Sequence, residues 1–286
     1  MKSSQAIGYG PLSAASFVKD IIRNLFGATS AYKKIGSWWR STRQPRDITV
    51  ILVAILAVWE LATVGLAKSA RILYPAPSDV IAIFLSDWQK IVTGIGSSMY
   101  LLGIGFLLAL VLGVVLGLIT GSVPRLYNAF LPIAKVVSPI PPIIYTPYAV
   151  AVLPSFTVAS IFVIFSSIFW QIYIEVAISV ANIDKKLLDS ARTLNLSSIS
   201  MLTHVLWPYC LPKIMNTLPL SVANAFMVLT AAEMIGATSG VGYYVRYYAD
   251  FADYTRVIAG IFVIGIVVSV INVMIGRIKR HVVKWQ

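Results

Sequence analysis

Between Ile183 and Pro208 the chain collects groups able to form ion pairs and hydrogen bonds: Asp184, Lys185, Lys186, Asp189, Arg192, Asn195, four serines and His204. Long apolar runs flank this stretch on both sides. The chemistry such a pattern supports is recognition. Asp189 and Arg192, three apart, share one helix face. Asp189 also lies near the expected helix start, where an anion is favourable. Leu188, Ala191, Leu194 and Leu196 can anchor the helix in a groove on a soluble partner. Covalent chemistry lacks its parts. No lysine follows a glycine, so there is no phosphate-binding P-loop. His204 and His281 lie far apart, without a paired zinc pattern. Gly-x-Ser-x-Gly is absent, and Ser239 reads as part of a turn. No catalytic residue, metal ligand or bound cofactor is expected.

The elements that must present this segment are membrane helices. The chain is 58% hydrophobic and only 12% charged, with a mean hydropathy of +0.82. Soluble domains carry roughly 25% charged residues. No charge occurs at 91–124, 136–174, 214–232 or 257–276. A spanning helix needs about 20 mostly apolar residues. Six spans are therefore predicted, near 48–67, 96–120, 127–150, 157–181, 209–236 and 257–276. Backbone groups in lipid must be satisfied internally, which makes the spans helical. Their apolar residues do not alternate, which excludes a barrel. The fold class is all-α membrane protein.

The net charge of +12 follows topology. Eight lysines and arginines fall in residues 1–47, one at Arg125, four from Lys185 to Lys213 and four after Gly276. Lys68, Arg71, Lys90, Arg246 and Arg256 fall on the other side. This bias predicts both termini in the cytoplasm. A nucleic-acid partner is not expected, since no basic helix is interleaved with exposed aromatics. The single cysteine, Cys210, excludes an internal disulfide and reads as packing.

Three domain stretches are expected: a basic tail at 1–47, a transmembrane domain at 48–280 and a short tail at 281–286. In the first, Phe17, Val18, Ile21, Ile22, Leu25 and Phe26 recur at helical spacing. They predict a helix lying on the cytoplasmic membrane surface. Residues 75–92 predict a short external helix, capped by Ser78, with Val80, Ile81, Phe84, Leu85 and Trp88 as its apolar face. Gly113 and Gly117, four apart, suit close helix packing in lipid. The third span holds Pro132, Pro139, Pro141, Pro142 and Pro147. Each removes a donor and disfavours the helix before it. Broken helix is tolerated where it is buried in protein or lines a cavity. Pro139 to Pro147 is therefore placed at the centre of the molecule, beside a pathway. Lys135, Glu175, Glu233 and Glu60 are ionisable groups in or near the membrane, and such groups face a cavity or a partner. Glu233 is a candidate both for the path and for bracing the loop that follows it. Tyr145, Ser166, Ser167, Gln171 and Asn224 are the other polar path candidates, alongside Pro139, Pro141 and Pro142.

The polar segment has a recognisable spacing. Asp189-Ser190-Ala191, three residues, Asn195, nine residues and then Val205-Leu206-Trp207-Pro208 resemble the EAA motif of ABC-importer permeases. Asp stands for Glu, Ser for Ala, Asn for Gly, and Val and Trp for Ile and Leu; Ala191 and Pro208 match. Other blocks resemble the nitrate/sulfonate/taurine/bicarbonate-type permeases in the same order. These are Leu73-Tyr74-Pro75-Ala76-Pro77-Ser78-Asp79-Val80, Pro139-Ile140-Pro141-Pro142 with Pro147, and Ala232-Glu233-Met234-Ile235-Gly236-Ala237 followed by Ser239-Gly240-Val241-Gly242-Tyr243. Ala259-Gly260-Ile261 continues the series. Leu153-Pro154-Ser155 departs from it, being shorter than the family's glycine-bearing loop.

The resemblance implies a type I ABC-importer permease fold in the bacterial inner membrane. It implies that 187–200 is a coupling helix, with Asp189, Ser190, Ala191, Arg192, Leu194, Asn195 and Leu196 facing an ATPase. The implied partners are a second permease protomer, two cytoplasmic ATPases that bind ATP-Mg, and an extracytoplasmic solute-binding protein. A homodimer is favoured and a heterodimer stays open. The implied solute is small and anionic. A secondary transporter or channel without an ATPase is the alternative; it would need an ion relay of intramembrane charges, and these are few.

Overall fold

A computed structural model of the chain describes residues 44–66, 68–194 and 196–283. The expected surface helix at 17–26 and Asn195 lie outside the described residues. The chain divides into two compact units, Met1–Leu61 and Ala62–Gln286. Of the first, the described part is helical and belongs to α1 (Gln44–Val64). The second unit begins with the last turn of α1 and continues through helices only, among the described residues.

These are α2 (Lys68–Leu73), α3 (Pro77–Ser86), α4 (Trp88–Ser122), α5 (Pro124–Val137), α6 (Pro142–Val152) and α7 (Phe156–Ala181). Then follow α8 (Lys185–Thr193), α9 (Ser198–Met201), a π-helical turn (Leu202–Leu206), α10 (Trp207–Gly236), α11 (Val241–Asp250) and α12 (Tyr254–Val282). Among the described residues, five stretches are long and apolar enough to cross a membrane: 47–64, 88–122, 156–181, 198–236 and 254–282. The sixth expected span is a bent pair, α5 and α6, which meet at 88°. The break falls at residues 138–141, where Pro139, Pro141 and Pro142 leave no continuous run of donors.

The core is built on a row of small residues. Gly105, Ala109, Gly113, Gly117 and Gly121 recur every fourth position along α4 and face Ile164, Ile168, Ile172, Val176 and Val180 of α7. A Cβ at Gly117 would lie 2.8 Å from Val176 Cβ, and one at Gly105 2.6 Å from Ile164 Cγ2. Without those carbons the two backbones approach closely, which is how helices gain packing energy where lipid supplies no hydrophobic drive. Gly103 is off this row and faces open space. α10 completes the core with Ile214, Phe226 and Leu229, and Cys210 is fully buried there.

Several local expectations are corrected. α4 begins at Trp88, not 96, so at 35 residues it runs about 50 Å, well beyond the ~30 Å hydrocarbon layer. Pro77, not Ser78, opens α3, with Ala76 at the cap; proline is suited to the first helical position because its missing donor is unused there. Only part of the expected apolar face of α3 turns inward. Val80 is buried and Phe84 half-buried, whereas Ile81, Leu85 and Trp88 are exposed. The proline region is also not central within the single chain: Pro139, Pro141 and Pro147 are exposed. The α4–α7 seam takes the centre because its glycines allow the closest approach. α6 is laid on the outside of α7 and α10, through Ala149 against Val163, Val228 and Ala232.

Candidate functional site

The polar segment forms one short helix, one turn and a re-entry. Asp184 sits before α8; its carboxylate Oδ1 accepts the Lys186 N–H at 2.9 Å and its carbonyl accepts from Leu188 N at 3.2 Å. The anion at the helix N-terminus is thus Asp184, and Asp189 lies mid-helix, exposed. Ser190 Oγ donates to Lys186 O at 2.8 Å and Thr193 Oγ1 to Ser190 O at 2.7 Å. Ser197 caps α9 by accepting from Ser200 N at 3.2 Å.

The helix has two sides, and the apolar expectations divide between them. Ala191 is buried and Leu188 packs on the membrane core. Both turn toward the chain's own helices, since residues three apart share a face. Leu187, Leu194 and Ile199 are exposed, and Leu196 is at the boundary. The Arg192 side chain lies outside the described residues. Beneath α8 lies a cavity of about 360 Å3, lined by Gly121, Val180, Leu188, Met201 and Leu206.

The return into the membrane carries a π turn that sequence reading missed. Trp207 N–H bonds to Leu202 O, five residues back. Pro208 follows directly. A proline inside an α-helix lacks its own donor and clashes with the carbonyl four residues earlier; here that carbonyl belongs to His204. Widening the turn by one residue relieves both problems, and such bulges concentrate at functional sites. His204 is exposed, with Nδ1 2.9 Å from Thr203 Oγ1 and 3.2 Å from Ser200 O.

Among the expected path residues, one pair comes together and Gln171 finds a further partner. Tyr145 on α6 and Ser166 on α7 share a 2.5 Å hydroxyl contact. Ser221 on α10 donates to Gln171 Oε1 at 2.8 Å, a partner the sequence did not single out. Asn224, one turn beyond Ser221, is half-buried. Ser167 is buried and its hydroxyl donates to its own helix at Ile164 O, 2.7 Å. Lys135 is exposed in the last turn of α5, beside the break. Glu175 accepts from Ser179 at 3.4 Å.

Glu233 is buried, 1% exposed, and acts as a brace. Ser98 Oγ on α4 donates to Glu233 Oε1 at 2.6 Å, and Gly242 N–H donates to Oε2 at 2.7 Å. Ser98 Oγ in turn accepts from Val241 N at 3.0 Å. Two free N–H groups at the start of α11 are thereby satisfied, as a buried helix end requires. Gly240, at φ +126°, crosses directly over the carboxyl, and a Cβ there would collide with it.

A second knot holds the same end. Arg256 Nε donates to Asp87 Oδ2 at 2.7 Å and its Nη1 to Asp253 Oδ2 at 2.5 Å. Tyr244 also donates to Asp87 at 3.2 Å. Burial pushes the Asp87 carboxyl up, but the bond and charge of Arg256, then Lys90 and Tyr244, outweigh it and hold the group below its ordinary value. Burial first, then the nearby Asp87 charge, pushes the Tyr244 phenol up.

This architecture matches known proteins. Residues 109–286 match the family described as binding-protein-dependent transport system inner membrane component. The chain belongs to that family. It is a multi-pass inner-membrane protein, the permease component of an ABC importer, and its ATPase and binding protein are separate subunits. It is 26% identical over 258 residues to the nitrate import permease protein NrtB of Leptolyngbya laminosa, covering 85% of this chain and 90% of that one. It is 25% identical over 259 residues to the taurine transport system permease protein TauC of Escherichia coli, covering 87% and 92%. An inward-facing structure of the MetNI methionine ABC transporter shares the fold, with a TM-score of 0.58 at 17% identity over 68% of this chain and 97% of that chain.

Proposed function

We propose that this permease domain, about residues 48–280, carries a small anionic solute of the nitrate, bicarbonate, sulfonate or taurine kind. Relatives named for nitrate and taurine at similar identity support the class without choosing within it. Two protomers, as a homodimer, enclose the path, with the exposed α5–α6 break and the Tyr145–Ser166 and Gln171–Ser221 pairs toward it. Both termini are cytoplasmic, in keeping with the positive-charge bias.

The observation that carries the coupling assignment is the division of α8. Its outer side offers Asp189 and Leu187, with Leu194 and Ile199 beyond, to an ATPase groove. Its inner side buries Ala191 and packs Leu188 against the membrane core. A push on the outer side therefore reaches the core as a rigid-body movement. The test is reconstitution of the permease with its ATPase and binding protein, comparing Asp189→Lys with wild type. The expected result is ATP hydrolysis without matched solute uptake, or loss of ATPase binding, with the permease still folded. Uptake and hydrolysis in the wild-type ratio would end the assignment.

A further inference from the structure

The end of the bundle remote from α8 carries a feature that coupling does not use. Lys90 and Gly121 lie on the same helix, so roughly 45 Å of axis separates that end from the cavity under α8. At the remote end the loop Ala237–Gly240 runs between two open cavities of about 540 and 420 Å3, and Thr238 and Ser239 line both. The larger is walled by tyrosines of α11, including Tyr243 and Tyr247, with Lys90 opposite on α4. The smaller adds the hydroxyls of Ser97 and Tyr100.

Among the described residues, Lys90 is the one charged residue that lines either cavity. No aspartate or glutamate lines either cavity. Glu233 lies beneath Gly240 with both oxygens engaged. Asp87 lies behind the tyrosine wall, where it accepts from Arg256, Tyr244 and, at 3.4 Å, Tyr248. Lys90 Nζ donates one bond, to Tyr248 at 3.0 Å; an ammonium has three donors. Hydroxyls that can donate, one ammonium and several ring faces make a surface for an oxyanion attached to a compact apolar body. The loop between the cavities is not slack, because Ser239 Oγ bonds Ser97 Oγ at 3.0 Å and Gly240 is pinned over Glu233.

We propose that the two cavities and the Thr238–Ser239 loop form a reception site for a small organic oxyanion, a sulfonate or carboxylate on an apolar or aromatic body. The solute occupies it before passing between the helices. This deepens the permease reading and rests on it.

The test uses the full chain in phosphatidylcholine nanodiscs without ATPase. Saturation-transfer NMR is recorded with benzenesulfonate as probe and benzyltrimethylammonium as the cation of similar size. Benzenesulfonate should bind and the cation should not. Lys90→Glu should weaken binding at least tenfold in protein that remains folded. Should that variant be unstable, Lys90→Gln carries the comparison, with a several-fold loss expected. Equal binding by wild type and variant, equal binding of the cation, or no benzenesulfonate signal at all would overturn the proposal. A repeat in phosphatidylglycerol nanodiscs separates the sources of oxyanion. Unchanged binding supports a free solute; displacement assigns the site to a net-anionic lipid headgroup and overturns it. A chain that couples through Asp189 but fails here keeps the permease reading and loses this one.

Discussion

Ser98 on α4 and Glu233 on α10 are joined by a 2.6 Å hydrogen bond between residues 135 positions apart. With the Gly242 N–H at 2.7 Å, the bond ties three helices at one buried carboxyl. This gives a physical reason for the block from Ala232 to Gly242: the acid at its start caps the helix at its end. Glu233→Gln keeps the shape but aims an amide NH2 at a donor. A buried donor left without an acceptor costs about 1–3 kcal/mol. The expected outcome is a lower thermal midpoint of the purified protein, with membrane insertion retained.

Gly240→Ala should be worse than its size suggests. The position sits at φ +126°, a region side chains avoid, and the added carbon collides with Glu233. Residues held in such regions cost on the order of 1–3 kcal/mol each before any clash. Combining Gly240→Ala with Glu233→Ala removes the collision but not the backbone strain. The double variant should therefore be less impaired than the sum of the singles, a non-additivity that two residues in contact produce. Unfolding curves of the four proteins measure it.

Much of this arrangement was legible in the chain, for definite reasons. Charge-free blocks gave the spans because lipid forbids unpaired charges and irregular backbone. The proline cluster gave the break between α5 and α6 because missing donors act locally. The polar segment from Ile183 to Pro208 was visible for its polarity, but not its orientation. Leu188 and Ala191 share a face with each other, and nothing local says whether that face meets a partner or the chain's own core. Glu233 could be read as a brace for the loop after it, but its partner Ser98 and the Asp87–Arg256 pair were invisible because their members come from distant helices. Half of the glycine row was readable: Gly113 and Gly117 announced it, while Gly121 and the matching row on α7 needed the packed structure.

The glycine row invites a paired experiment. Gly117→Val and Gly103→Val add the same carbons to the same helix. At Gly117 even the first carbon lies 2.8 Å from Val176 Cβ, whereas at Gly103 nothing lies within 4 Å. Overpacking a tight core costs roughly 1–3 kcal/mol, so Gly117→Val should lower the thermal midpoint and the yield of folded protein. Gly103→Val should stay near wild type. Equal behaviour of the two would mean that α4 and α7 do not meet along this seam.

The last expectation concerns acid. The Asp87 carboxyl is held below its ordinary value by Arg256, despite burial. A carboxyl whose folded value is lower than its unfolded value of about 3.9 binds fewer protons folded than unfolded. Its contribution is complete above the unfolded value and is lost as pH falls through the folded one. Wild type should thus be insensitive through this group from neutrality down to about pH 4, then weaken below it. Arg256→Gln removes the partner that lowers Asp87, leaving burial to raise it. The variant should be less stable at neutral pH, and its Asp87 should take up its proton at higher pH than in wild type. Parallel stability–pH curves for wild type and Arg256→Gln would show that the ion pair does not set this dependence. Tyr244→Phe deletes only one of the weaker donors to the same oxygen, so its curve should fall between the two.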